Sequence, residues 1–166
     1  MYKKFMPDYY YPDLSHITPK ALCELGIKGL VMDIDNTIVT YDDPTPTPAA
    51  SAWFKAVTGA GIKISFVSNN DWDRVNEFNR ELGYPAYAKC GKPSTKYIKK
   101  VMEEMGTDTS NTAFIGDQIF TDVWAGKRAG LTVFLVDPIK DKTSLFFKSK
   151  RALEIPVKKA YWRKHK

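Results

Sequence analysis

Four short segments carry side chains suited to handling a phosphoryl group. Asp33-Ile34-Asp35-Asn36-Thr37 sets two carboxylates two residues apart, directly behind the apolar run Leu30-Val31-Met32. One could attack phosphorus while the other moves protons. Unpaired charge beside a core is costly and asks for a reason, although a bare Asp-x-Asp also serves helix caps and surface turns. Ser68-Asn69, behind Ile64-Ser65-Phe66-Val67, offers a hydroxyl and backbone amides to phosphate oxygens, or else a helix cap. Lys92, in Cys90-Gly91-Lys92-Pro93-Ser94, can place a point charge on a phosphate; alone it would read as a solvated lysine. Gly116-Asp117 and Asp122 add further carboxylates after a glycine turn. Carboxylates gathered in one crevice repel unless a cation lies between them. Mg²⁺, which takes oxygen ligands and works with substrate phosphate, is the natural candidate.

Those segments act together only if the fold gathers them. Apolar runs predict strands at Gly29–Met32, 62–67, 86–89, 112–115 and 131–136. Helical spacing predicts helices around Leu22, over 49–60, through Val75 and Phe78, through Ile98 and Met105, and through Val123 and Ala125. Thr18 or Ser15 would cap the first and Asp71 or Asp73 the third, and Pro93 suits the first turn of the fourth. Strands alternating with helices of this length predict an α/β fold: a doubly wound, mainly parallel five-stranded sheet. The carboxyl ends of such strands define the ligand crevice, and the candidate residues follow them. The opening Tyr9-Tyr10-Tyr11-Pro12 reads as aromatic and turn-rich.

Composition narrows the class. The 166 residues hold 25 Lys and Arg against 19 Asp and Glu, and 43% are hydrophobic. That excludes a disordered, collagenous or membrane-spanning chain. The formal charge of +6 is unevenly placed: residues 1–141 carry −2, and 142–166 carry +8 with Glu154 as their one acid. We therefore expect a catalytic domain over 1–141 and a basic aromatic segment over 142–166. Cys23 and Cys90 are too few for a disulfide framework and read as small buried hydrophobes in a reduced compartment.

Asp33-x-Asp35-x-Thr37, Ser68, Lys92 and Gly116-Asp117-x-x-x-x-Asp122 together resemble the four motifs of the haloacid-dehalogenase-like (HAD) phosphatases, over residues 29–136. The strings Val31-Met32-Asp33-Ile34-Asp35-Asn36-Thr37, Lys92-Pro93-Ser94 and Gly116-Asp117-Gln118-Ile119-Phe120-Thr121-Asp122 resemble the YqeG group of subclass IIIA. The resemblance implies that Asp33 is the nucleophile and that Asp35 is the acid and then the base. It further implies that Asp33, Asp117 and the backbone carbonyl of Asp35 hold Mg²⁺, with Asp122 orienting the groups around it. Thr37, Ser68, Asn69 and Lys92 would hold the phosphoryl group. Ile34 departs from the lysine many relatives carry between the two aspartates.

Only 30 residues separate Thr37 from Ser68, and 23 separate Ser68 from Lys92. Helices and loops already fill both gaps, which predicts an open site with no cap domain and favours a bulky substrate. Relatives of the YqeG group include phosphatases of phosphatidylglycerophosphate, on the route to phosphatidylglycerol and cardiolipin. Leu145-Phe146-Phe147 and Tyr161-Trp162 among basic residues suit a peripheral contact with anionic membrane. The resulting expectation is a cytoplasmic enzyme at the inner face of the membrane, acting on a lipid headgroup. The alternatives are a nucleic-acid end, a sugar phosphate or a phosphoprotein as substrate, or a non-catalytic scaffold that grips phosphate or RNA; no motif specific for nucleic acid is present.

Overall fold

A computed structural model describes residues 3–140 and 145–165. The expected boundary at 141/142, with Lys142 and Lys166, lies outside the described residues. Six strands form one parallel sheet: β1 (Tyr9–Tyr11), β2 (Gly29–Met32), β3 (Lys63–Val67), β4 (Ala86–Tyr87), β5 (Thr112–Gly116) and β6 (Thr132–Val136), in the order β1-β6-β5-β2-β3-β4. The predicted strands are present, and β1 is added to the five. It pairs Tyr9, Tyr10 and Tyr11 with Phe134, Leu135 and Val136 at the sheet edge. Three half-buried tyrosines have no alternation of polar and apolar side chains, so no period-2 signal marks them as a strand.

The first half of the chain supplies α1 (Pro19–Glu24), α2 (Pro48–Gly59) and α3 (Trp72–Asn79). Thr18, Thr47 and Asp71 cap them through side-chain oxygens that accept from Ala21, Ala50 and Arg74 amides. The second half supplies α4 (Lys96–Met105), a π-helical turn at Ile119–Val123 that runs into α5 (Trp124–Arg128), and α6 (Leu145–Lys164). Pro93 does not open α4: the Lys92–Pro93 bond is cis and the helix starts at Lys96.

Each face of the sheet carries its own core. Leu30 and Met32 point to Phe54, Val75 and Phe78, whereas Val31 points to Ile98, Val101 and Phe114. Burial on both faces explains why β2 reads as an unbroken apolar run. Cys90 is buried as expected, but Cys23 is exposed, because α1 turns Leu22 inward and its neighbour outward.

The basic C-terminal stretch is a 20-residue helix packed on the body. Glu154, Val157 and Tyr161 are buried at helical spacing. Val157 joins the core of the second face, and Tyr161 meets Tyr10 edge to face, 5.7 Å between centroids. Phe146 points outward, 65% exposed.

Candidate active site

Sheet order places the chemistry. The chain passes from β2 to β3 and β4 on one side, then crosses to β5 on the other, so the crevice opens above β2. Met32 pairs with Ile115, and the Asp33 amide donates to the Ile115 carbonyl at 3.0 Å. That register brings Asp33 and Asp117 together although 84 positions separate them.

A helical turn after β2 aims the first segment. Ile38 N–H donates to Ile34 carbonyl at 3.0 Å, and Asn36 takes a left-handed backbone conformation (φ 66°), which asparagine tolerates better than most residues. Ile34 is fully buried in the first core, so the position that departs from the relatives' pattern faces away from the crevice. Thr37 Oγ1 donates to Asp117 Oδ1 at 3.2 Å and to Asp33 Oδ2 at 3.4 Å.

Lys92 reaches the centre from the loop before α4. Its side chain is 1% exposed, with Nζ 2.6 Å from Asp33 Oδ1 and 2.7 Å from Asp122 Oδ1. Asn69 fixes the lysine's backbone: its Oδ1 accepts from Lys92 N–H at 2.7 Å, and its Nδ2 donates to Lys92 carbonyl at 3.4 Å. Ser68 lines the same pocket, and its Oγ accepts from the Asn70 amide at 3.0 Å. Asp122 Oδ2 accepts from the amides of Asp117 and Gln118, both at 3.1 Å, which folds the turn after β5. This needs Gly116: a Cβ there would lie 2.4 Å from Asp122 Cβ and 2.5 Å from its Oδ2.

Asp35 stands apart from the acidic cluster. Arg74 Nε and Nη2 donate to its Oδ1 at 2.9 and 2.8 Å, and Asn70 Nδ2 donates to Oδ2 at 3.0 Å. Arg74 also donates to the carbonyls of Thr40 and Asp43, at 3.2 and 2.6 Å, tying the segment ahead of α2 to the site. On the opposite side Arg151, from α6, donates through Nη2 to Asp117 Oδ2 at 2.5 Å and through Nη1 to the Asp117 carbonyl at 2.8 Å. Sequence reasoning missed both arginines. Arg74 sits in the first turn of α3, where a cation opposes the helix dipole, and that local misfit hints at a tertiary role.

Comparison with known proteins decides the family. Residues 30–130 match the haloacid dehalogenase-like hydrolase family. The chain is 37% identical over 162 residues to the Bacillus subtilis protein named "Probable phosphatase YqeG", covering 98% of this chain and 94% of that one. The chain belongs to the haloacid dehalogenase-like hydrolase family. It is also 25% identical to phosphatidylglycerophosphate phosphatase 1 of Arabidopsis thaliana, covering 96% of this chain and 49% of that longer protein. The 3-deoxy-D-manno-octulosonate 8-phosphate phosphatase of Moraxella catarrhalis, solved with magnesium, phosphate and its sugar, shares the fold at a TM-score of 0.54 and 17% identity, over 73% of this chain and 75% of that one. The chain is a HAD-family phosphatase.

The electrostatics of this HAD site follow from burial. Burial drives the Asp33 carboxyl well above its ordinary value; Lys92 opposes this, and Asp122 and Asp117 add to it. Burial, then the Asp122 charge, pushes Asp117 up to about 7, against the pull of Arg151. Burial alone would lower Lys92, yet the carboxylates of Asp122 and Asp33 hold it above the usual lysine range.

Carboxylate oxygens of Asp33, Asp117 and Asp122 lie within 4.8 Å of one another. Asp122 Oδ1 is buried beside Lys92 Nζ without an aligned hydrogen bond. Hard carboxylate oxygens gathered this closely in a buried cluster fit a small divalent cation. The described side chains that converge are thus Asp33, Asp117 and Asp122, while the Asp35 carboxylate is engaged by Arg74 and Asn70.

Proposed function

We propose that this protein is a Mg²⁺-dependent phosphomonoesterase that works through an aspartyl-phosphate and takes phosphatidylglycerophosphate as substrate. The observation that carries the reading is Asp33: a buried carboxylate at the end of β2, paired with a buried lysine, on a polar pocket of about 300 Å³.

Asp33 supplies the attacking oxygen. An Asp33 O–P bond forms as the bond from phosphorus to the leaving oxygen breaks. Asp35, at the same pocket, gives its proton to that oxygen. It then takes a proton from the water that attacks phosphorus, so the Asp33 O–P bond breaks and inorganic phosphate leaves. Lys92 and Ser68 hold phosphoryl oxygens, and Asn69 keeps Lys92 in place. Asp33 and Asp117, with the Asp35 carbonyl, would hold Mg²⁺, and Asp122 would fix the turn around it. When bound, the ion neutralises charge on the phosphoryl oxygens.

The phosphatidylglycerophosphate reading draws on the Arabidopsis relative's named substrate and on α6. That helix exposes Leu145, Phe146, Leu153 and Trp162 among basic residues, a surface suited to peripheral contact with anionic lipid. No helix among the described residues is long and apolar enough to cross a membrane. The test is phosphate release from phosphatidylglycerophosphate in vesicles against a panel of soluble phosphomonoesters, with and without Mg²⁺. Faster, Mg²⁺-dependent turnover of the lipid is expected; equal or better turnover of the soluble panel overturns the lipid assignment.

A further inference from the structure

A phosphoryl group fills only part of the pocket above Asp33, and the remainder must receive the leaving group. The pocket's wall includes the buried Asp33, Ser68 and Lys92 and the half-buried Tyr41, Phe147 and Lys150. Two of those wall residues come from α6. Phe147, Lys150, Arg151, Glu154, Val157 and Tyr161 fall at spacings of three and four, so one stripe of the helix faces the body.

That stripe is fastened at several points. Glu154 is 3% exposed, and its Oε1 accepts from the Ile119 amide at 2.8 Å, at the start of the π-helical turn. Its other oxygen accepts from Arg151 Nη1 at 3.1 Å, and Arg151 in turn holds Asp117. Val157 and Tyr161 anchor the next two turns. The helix is therefore built onto the catalytic turn, and the positions of Phe147 and Lys150 follow from it.

The charges around the pocket are already assigned, with one exception. Lys92 is paired with Asp33 and Asp122, Arg74 with Asp35, and Arg151 with Asp117 and Glu154. Lys150 lines the pocket, is half-buried, and forms no ion pair among the described residues. Its ammonium sits 4.8 Å from the centroid of the Phe146 ring, which limits the directions it can take.

We propose that α6 forms the leaving-group subsite and that Lys150 reads a second negative charge there. The enzyme then selects phosphomonoesters whose leaving group carries another anion, such as a phosphodiester one glycerol away. This rests on the phosphomonoesterase reading of the site but needs no membrane.

Two soluble probes isolate the subsite: glycerophosphoglycerophosphate, which has a monoester and a diester, and glycerol 3-phosphate, which has the monoester alone. The wild-type protein should favour the first by kcat/KM. Lys150→Met should cut that preference about tenfold, the scale of one charged hydrogen bond, and Lys150→Arg should keep most of it. Lys55→Met, an equal change of charge on the exposed side of α2, should leave the preference in place. A wild-type preference near unity, no change in Lys150→Met, or an equal fall in Lys55→Met overturns the proposal. Melting curves establish that the variants fold. Should Lys150→Met not fold, the preference in wild-type protein must fall with added salt as the contact is screened, and a salt-independent preference overturns the proposal. Vesicle turnover reports separately: a lipid substrate without the Lys150 effect sinks the subsite alone, and a Lys150 effect without lipid turnover sinks the lipid assignment alone.

Discussion

Arg151 reaches across from α6 to set Nη2 2.5 Å from Asp117 Oδ2, with Thr37 Oγ1 3.2 Å from the other oxygen. Both oxygens of Asp117 are thus engaged by the chain's own groups, and one partner is a full positive charge. A divalent cation at Asp117 must share that carboxylate with the guanidinium. Arg151→Gln should therefore raise the melting temperature gained on adding Mg²⁺, relative to the gain in wild-type protein. Without metal the variant should be less stable by about 1–3 kcal/mol, since a buried carboxylate loses its partner. Thermal melts with EDTA and with MgCl₂ check both; an equal or smaller Mg²⁺ gain in the variant contradicts the shared-carboxylate argument.

Asp33→Asn removes the charge of the oxygen proposed to attack phosphorus while keeping the side chain's shape. Phosphate release should fall by about 10³-fold or more, as expected for loss of a covalent nucleophile. The variant should still fold cooperatively, because the cost of burying the Asp33 charge disappears along with its pairing to Lys92. Substantial turnover in a verified Asp33→Asn preparation would exclude the aspartyl-phosphate route.

Arg74 grips Asp35 through two nitrogens and the segment at 40–44 through backbone carbonyls. Arg74→Lys keeps the charge but loses the fork, so it should not restore function. We expect kcat to fall by about tenfold or more in both Arg74→Lys and Arg74→Gln, on the scale of one or two charged hydrogen bonds. Wild-type kcat in Arg74→Lys would show that charge alone suffices.

Much of this site was legible in the sequence because strand ends announce themselves. The apolar runs before Asp33, Ser68 and Asp117 are buried on both faces, so each reads as a strand, and the crevice follows from the order of connections. The residues that remained hidden come from helix faces. Arg74 and Arg151 reach Asp35 and Asp117, and Lys150 reaches the pocket, through the packing of α3 and α6, which local periodicity does not define. Pro156 adds to the difficulty: it removes a backbone donor inside α6, although burial of Glu154, Val157 and Tyr161 holds the helix on the body. The single acid among nine cations after residue 141 was the available clue, for Glu154 is the buried residue that fastens that helix.

Gly116→Ala tests the close approach on which the second half of the site depends. The added methyl would meet Asp122 at 2.4–2.5 Å, against the atoms that organise the turn after β5. Relieving that overlap costs about 1–3 kcal/mol of stability. It also displaces Asp122 from the Asp117 and Gln118 amides and from Lys92. Activity should fall further than the lost stability explains, measured by urea denaturation and by kcat on the same preparation. Full activity with reduced stability would show that Asp122 can shift without harming the chemistry.

The pH dependence of the metal-free protein has a definite sign. Asp117 is pushed from 3.8 up to about 7, mainly by burial and then by the Asp122 charge. A carboxyl raised on folding binds its proton more tightly in the native state than in the unfolded chain. Its contribution is present in full below about pH 4 and is lost as pH rises through about 7. Asp33 is shifted in the same direction. In EDTA, stability should therefore decline between about pH 4 and about pH 7. Mg²⁺ should reverse that trend, because a bound cation favours the ionised carboxylates and its affinity rises as they lose their protons. Urea denaturation across this range, with EDTA and with saturating MgCl₂, gives the comparison. Parallel pH profiles in the two conditions would mean that the acidic cluster of Asp33, Asp117 and Asp122 does not take up the ion.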